Sequence, residues 1–264
     1  MLLSHHYRFV FVRPLKTAGS STEFALSGVL EPGDYATRLP TRKRPEDVVK
    51  PGVRVGSAWF WPHSRFHHPL RISSHALLEH VYAVFPEEVQ NYRVISMTRN
   101  PWDRAVSRFF YHARRTKMRE RDLATQKAAF IRFTHRFGPH TWLDNYSKWK
   151  RERALDNSRK VYFVDGHCRA DYVIRFECLE RDLNGLQDYL GLPEKPSVEG
   201  IRLLTSTRPA TKKHKWMDFY DDETRELVAE CCHWEIEQFG YDFFGKNQPD
   251  GPFLTCPRVC FSAA

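Results

Sequence analysis

The chain has 264 residues, 41% hydrophobic and 14% aromatic, which is enough to bury one large core or two small ones and excludes a disordered polymer. Its 41 Lys and Arg against 32 Asp and Glu leave a net charge of +9, so anionic partners are expected: nucleic acid, phosphate-bearing small molecules or acidic glycans. Six cysteines do not make a disulfide framework in a chain of this length, the start "MLLSHHYRFVFV" has neither the h-region nor the cleavage site of a secretion signal, and no apolar run is long enough to span a bilayer, which together give the expectation of a soluble, cytoplasmic protein with free thiols.

Tyr7 to Arg13 reads as a strand, apolar on both faces after Arg8 and ended by Pro14, which suits the middle of a parallel sheet. Ser20 to Leu30 reads as a helix stopped by "EPGD". Residues 31–72 show little periodicity, several prolines and many basic residues, and read as an irregular insert of functional length. The insert holds the clump "WFWPHSRFHH", where His63, His67 and His68 have metal-like spacing but lie between Pro62 and Pro69 without further ligands, so a non-metal reading is preferred. "SSHALLEHVYAVFP" follows as a helix capped by Ser73 or Ser74, "YRVISMTR" as a second strand, and "NPWDRAVSRFFYHARR" as a helix with Asn100 as cap, Pro101 at its first position and Asp103 in its first turn. Helices are expected over Leu123 to His135 and Thr141 to Trp149, strands over "KVYFV" and "DYVIRFE", and helices over "CLERDLNGLQDYLGL" and "DDETRELVAECCHWEIEQFG". Cys256 and Cys260 in "CPRVC" could pair or bind metal, but no second half of a site accompanies them and they read as incidental thiols of a tail. The order of elements predicts an α/β fold, a single domain over residues 1–250 with a central, mostly parallel sheet flanked by helices, and a tail over 251–264.

Ligands of open α/β sheets sit beyond the carboxyl ends of strands, where helices begin, so the two strand-to-helix junctions carry the functional signal. In "RPLKTAGSS", Gly19 permits close backbone approach, the helix N-terminus favours an anion, Lys16 adds a full charge, and Thr17, Ser20 and Ser21 add hydroxyl donors. An ordinary β–α turn would explain Gly19 and Ser20 but not Lys16 together with the hydroxyl cluster. The lysine precedes the glycine and no glycine opens the loop, so it is not a Walker A loop, which argues against a kinase. In "SMTRNPWDRAVSRFFYH", Arg99 leaves the strand at a helix start and Ser107 lies about two turns along, an arrangement suited to a second phosphate.

"KTAGSS" followed by "RNPWDRAVSRF" resembles the paired signature of sulfotransferases that use 3′-phosphoadenosine 5′-phosphosulfate (PAPS), and is more similar to their carbohydrate-type, bacterial and Golgi branch than to the cytosolic phenol and steroid enzymes. "SSHALLEHVYAVFP", "VIRFECLERDL" and "HKWMDFYDDETRELVAECCHWEIEQFGYDF" fit the same family, so the resemblance covers most of residues 7–244; Ser20 stands where a threonine is common. The resemblance implies a P-loop-NTPase-like sulfotransferase fold, with Lys16, Thr17, Ala18, Gly19, Ser20 and Ser21 on the 5′-phosphosulfate and Arg99 and Ser107 on the 3′-phosphate. It implies that Lys16 offsets charge on the leaving 5′-phosphate and that His75 is the general base, with His80, Glu79 and Glu23 as rivals and a capping or packing histidine as the plain alternative. Lys212 and Lys213, in the basic run "RPATKKHKW", would close over the nucleotide, although a solvated loop is the ordinary explanation of such a run. Trp59 and Trp61 would stack on an acceptor, with His80 and His112 as further acceptor-side candidates; His112 reads equally as helix surface.

The expected reaction is sulfuryl transfer from PAPS to a hydroxyl or amine of a small-molecule or glycan acceptor, giving PAP, with no metal required. The competing readings are a non-catalytic phosphate- or nucleic-acid-binding α/β protein and a nucleotide-dependent kinase. Neither a helix-turn-helix nor an RNP-type sequence supports nucleic acid as a partner.

Overall fold

A computed structural model of the protein describes residues 1–37, 48–62, 69–137, 159–196, 214–245 and 253–254. The elements in chain order are β1 (Leu2–Ser4), β2 (Phe9–Phe11), α1 (Gly19–Ser27), β3 (Tyr35–Ala36), β4 (Arg54–Val55), β5 (Ala58–Phe60), β6 (Leu70–Ile72), α2 (Leu78–Val84), α3 (Pro86–Asn91) and β7 (Arg93–Thr98). They continue with α4 (Pro101–His112), α5 (Leu123–Phe137), β8 (Phe163–Val164), β9 (His167–Cys168), β10 (Tyr172–Arg175), α6 (Leu179–Leu190), α7 (Asp222–Cys231), α8 (His233–Phe239) and β11 (Phe253–Leu254). No described helix is long and apolar enough to cross a membrane.

Two compact units share the chain. The first comprises Met1–Thr98, Lys160–Leu203 and Gly251–Ala264; the second comprises Arg99–Arg159 and Leu204–Asp250. The first unit is the sheet, ordered β11-β10-β7-β2-β1-β3-β4. Its centre, β10-β7-β2, is parallel; β11 pairs antiparallel with β10, β1 antiparallel with β2, and β3, antiparallel to β1, again runs with the centre and pairs parallel with β4. Strand alternation sends Phe9, Phe11, Ile95, Met97, Tyr172 and Ile174 to one face, where Leu26 of α1 and Leu183, Leu186 and Leu190 of α6 cover them. Val10, Val12 and Val94 face the other way onto Leu70, Ile72, Leu78, Val81 and Val89. The uninterrupted apolar character of Phe9 to Val12 therefore reflects burial on both faces.

The second unit is helical. Phe109, Phe110, Phe130, Phe219 and Tyr220 form its aromatic core, with ring centroids 4.9–5.8 Å apart along the chain of contacts from Phe110 to Tyr220. Arg104 of α4 forms a buried, two-pronged ion pair with Glu235 of α8.

The α/β reading with a parallel core flanked by helices holds, and several boundaries move. Leu2–Ser4 adds a strand before the expected first one. Helix α1 ends at Ser27 instead of Leu30: the Ser27 hydroxyl donates to the Phe24 carbonyl at 2.7 Å and Gly28 follows. Among the described residues, the insert over 31–72, read as irregular, contains four short strands. The helix expected from Ser73 or Ser74 begins only at Leu78, because Ser73 to Ala76 close a turn instead, and Pro86 stops it and opens α3. "KVYFV" gives a turn and one strand of a separate hairpin, and the last amphipathic stretch is two helices that part at Cys232. Phe253 and Leu254, within the expected tail, add an edge strand to the sheet. The helix expected over Thr141 to Trp149, and His63, His67, His68, Cys256 and Cys260, lie outside the described residues.

Candidate functional site

The loop after β2 is built on backbone conformations that side-chain-bearing residues avoid. Lys16 and Ala18 both have φ of 65°, while Thr17 and Gly19 do not share that sign. A left-handed residue beside a right-handed one turns consecutive N–H groups the same way, into a concavity that receives anion oxygens. Holding non-glycine residues there costs roughly 1 kcal/mol or more each, so their surroundings must over-determine them. Two observations identify those surroundings. Thr17 is fully buried and its hydroxyl donates to the Pro14 carbonyl at 3.0 Å, bracing the loop from within, so its side chain does not provide the outward donor expected of it. A Cβ on Gly19 would lie 2.7 Å from the Arg13 side chain, so the loop is moulded directly onto that residue and only glycine fits. Lys16, Ser20 and Ser21 remain half-buried at the surface of this loop. Helix α1 begins at Gly19 with no side-chain cap, so its leading N–H groups are satisfied by no capping side chain.

Arg13 is 6% exposed and ties the neighbourhood together. Its Nε lies 2.8 Å from Glu23 Oε2, and its Nη1 donates to Ser20 Oγ at 3.0 Å. Glu23 is completely buried and also accepts from Thr37 Oγ1 and the Met1 amine. Its carboxylate is therefore engaged inside the fold by Arg13, Thr37 and the Met1 amine. His75 is half-buried in the turn after β6, and its ring hydrogen-bonds the Arg13 backbone. Burial, then the Arg13 guanidinium and the Met1 amine, push its pKa down to about 3, so the imidazole is neutral at neutral pH. His80 lies on α2 beside Glu79, with Nε2 3.9 Å from Oε1.

The second junction lies in the helical unit. The Asn100 side chain accepts from Trp102 N at 3.1 Å and Asp103 N at 3.3 Å, and donates to the Asp242 carbonyl at 2.9 Å; Pro101 takes the first helical position. Arg99 is 7% exposed, with Nε donating to Asp103 Oδ2 at 2.7 Å. The i,i+4 carboxylate of Asp103 thus orients the guanidinium. Ser107 is buried on the same helix, at 8% exposure. His112 ends α4 at the surface with its ring 5.3 Å from that of Phe133, in keeping with a helix-surface role.

On the insert, Trp59 and Trp61 stand 69% and 72% exposed, on and just beyond β5. Between them, Phe60 packs with Tyr35 and Phe85 around a cavity of about 380 Å³ that Arg54 and His5 also line. Because β1 runs antiparallel to β2, pairing Leu2 with Phe11 and Ser4 with Phe9, the His5 side of this cavity lies at the end of the strands opposite Lys16. Lys212 and Lys213 lie outside the described residues. Among the described residues, no group of three or more His, Cys, Asp or Glu is placed to hold a metal. Arg13 is the site residue that sequence reasoning missed; its signal was an arginine ending an apolar strand three positions before Lys16.

The family model described as the sulfotransferase domain matches residues 63–225, more than half of the chain, which includes His75, Arg99 and Ser107 and starts after the Lys16 loop. The match runs through segments of both units. Among solved structures, a mouse sulfotransferase, SULT7A1, complexed with PAP is similar at 14% identity and a TM-score of 0.43, over 89% of this chain and 86% of that one. No curated protein matches the sequence.

Proposed function

Since the chain belongs to the sulfotransferase family, we propose that it transfers the sulfuryl group of PAPS to a hydroxyl or amine of a small-molecule or carbohydrate acceptor and releases PAP. The observation that carries this reading is the left-handed, Arg13-moulded loop that presents Lys16, Ser20 and Ser21 at the start of α1. An anion receptor needs backbone N–H groups, a cation and hydroxyl donors together, and this loop supplies all three.

In the proposed reaction the acceptor oxygen or nitrogen attacks sulfur in line with the bond to the 5′-phosphate oxygen. That bond breaks as the new one forms, and its electron pair stays on the 5′-phosphate of PAP. Lys16 offsets the charge that builds there, and the loop from Thr17 to Ser21 holds the donor's oxygens. His75 takes the acceptor's proton; its ring is already neutral, and an anionic donor nearby raises its affinity for a proton. Arg99 and Ser107 hold the 3′-phosphate, with Asp103 fixing the guanidinium, and Lys212 and Lys213 close over that end. The exposed Trp59 and Trp61 offer flat faces to an acceptor. Unchanged acceptor use by Trp59→Ala and Trp61→Ala would remove them from the site.

The deciding experiment is calorimetric titration with PAP, using ATP and 5′-AMP as controls. One-to-one PAP binding that Arg99→Ala abolishes, with both controls weak, is the expected result. Failure to bind PAP, or equal binding of ATP, overturns the donor site.

A further inference from the structure

We propose that Arg13 is a positioning residue of the donor loop, one that fixes the Ser20 hydroxyl as a donor toward the bound phosphosulfate. The inference rests on the donor-site reading above and goes beyond it to a residue outside the loop. Arginine has donors and no acceptor, so in the 3.0 Å contact between Arg13 Nη1 and Ser20 Oγ the serine oxygen must accept. The single Ser20 proton is thereby directed away from Arg13. Ser20 is half-buried at the second position of α1, where the helix N-terminus favours negative charge, so an anionic oxygen is the natural acceptor for that proton.

The rest of the geometry makes this orientation rigid. The guanidinium cannot swing away, because Glu23 holds Nε at 2.8 Å and is itself completely buried against Thr37. The stem cannot shift either, because Gly19 packs onto it so closely that a Cβ would lie 2.7 Å from it. The His75 ring is bonded to the Arg13 backbone, so the proposed base and the donor loop share one anchor. Lysine could keep the charge at this position, but a single ammonium lacks the planar fork that serves Glu23 and Ser20 together.

A double-mutant cycle read by PAP affinity tests this, with wild type, Arg13→Lys, Ser20→Ala and the double variant, and a thermal melt of each. If Arg13 acts through Ser20, each single variant weakens PAP about tenfold, as loss of one charge-assisted hydrogen bond does. The double variant is then no weaker than Ser20→Ala alone. A merely structural role would weaken PAP by the same factor in both backgrounds, so losses that multiply overturn the inference. Wild-type affinity in a folded Arg13→Lys overturns it as well. If Arg13→Lys does not fold, Glu23→Gln replaces it. That variant keeps the side-chain size and releases the guanidinium, and it must weaken PAP when Ser20 is present but not when it is combined with Ser20→Ala. Failure of the donor reading is recognised separately, by a wild-type protein that does not bind PAP or an Arg99→Ala variant that still does.

Discussion

The junctions after β2 and β7 both convert a buried strand into a helix, but the first is shaped by backbone and the second by side chains. After β2, Lys16 and Ala18 are held left-handed, the helix has no side-chain cap, and the loop is pressed onto Arg13. After β7, Asn100 caps two N–H groups, Pro101 pre-sets the first helical residue, and Asp103 braces Arg99 from one turn ahead. The difference matches the tasks proposed for them. A loop that must wrap an anion with its own N–H groups leaves them uncapped and relies on packing behind it. A phosphate held by one guanidinium needs only an arginine pointed correctly, which a capped helix and an i,i+4 carboxylate provide.

The sharpest test of that contrast removes the acid behind each arginine. Glu23→Ala strips a completely buried carboxylate from Arg13 and Thr37, and is expected to cost about 3–5 kcal/mol of stability, the usual penalty for orphaning a buried charge. Asp103→Ala is expected to cost less, because Asp103 keeps 8% exposure whereas Glu23 has none and also serves Thr37 and the Met1 amine. Urea unfolding of the two variants decides it, and equal losses would erase the distinction between a packed junction and a braced one. Gly19→Ala comes next: overpacking against Arg13 should cost about 1–3 kcal/mol and weaken PAP binding more than the melting shift accounts for.

The pH dependence of stability tests the packed junction from another side. His75 has its pKa lowered to about 3 in the folded protein, against about 6.5 in an unfolded chain. Between those values the unfolded chain binds a proton that the folded one does not. The His75 contribution to stability is therefore flat above pH 6.5 and falls as pH drops from 6.5 toward 3, by up to about 1.4 kcal/mol per pH unit. Besides burial, Arg13 and the Met1 amine oppose the proton, while Glu23 lies close by on Arg13. Urea midpoints at pH 7, 6 and 5 should fall in the wild type and fall less in His75→Gln. Parallel lines would mean that His75 titrates normally and that the enclosure around it is absent.

The same contrast explains what was legible in the sequence. The helix start at the capped junction was readable because its signals are local: Asn100, Pro101 and Asp103 act within one turn of one another. At the packed junction Lys16, Gly19 and the hydroxyls were visible as a cluster, but the residue they are moulded on was not. Arg13 read as the end of a strand, and its meaning depends on Glu23 one helix away and His75 beyond the insert. Strands of two or three residues such as β3 and β4 carry no measurable alternation, which is why the insert read as irregular. The break between α7 and α8 was hidden for the opposite reason: Cys231, Cys232 and Trp234 are all buried and continue the helical apolar pattern through it.

The smallest expected effect is also the most discriminating, because one substitution should have opposite signs at the two caps. Ala18 caps α1 with φ of 65°, where a Cβ is a liability and glycine is at home. Ala18→Gly is therefore expected to raise stability by about 0.5–1 kcal/mol, offset in part by the greater freedom glycine gives the unfolded chain. Asn100 caps α4 through its side chain, so Asn100→Gly removes two hydrogen bonds to the first turn and one to Asp242, and is expected to lower stability by a few tenths of a kcal/mol or more. Paired thermal melts of the two variants suffice. If Ala18→Gly stabilises the fold and also loosens PAP binding, the left-handed strain at position 18 is retained for the anion it shapes the loop to hold; if it destabilises, the loop does not adopt that conformation.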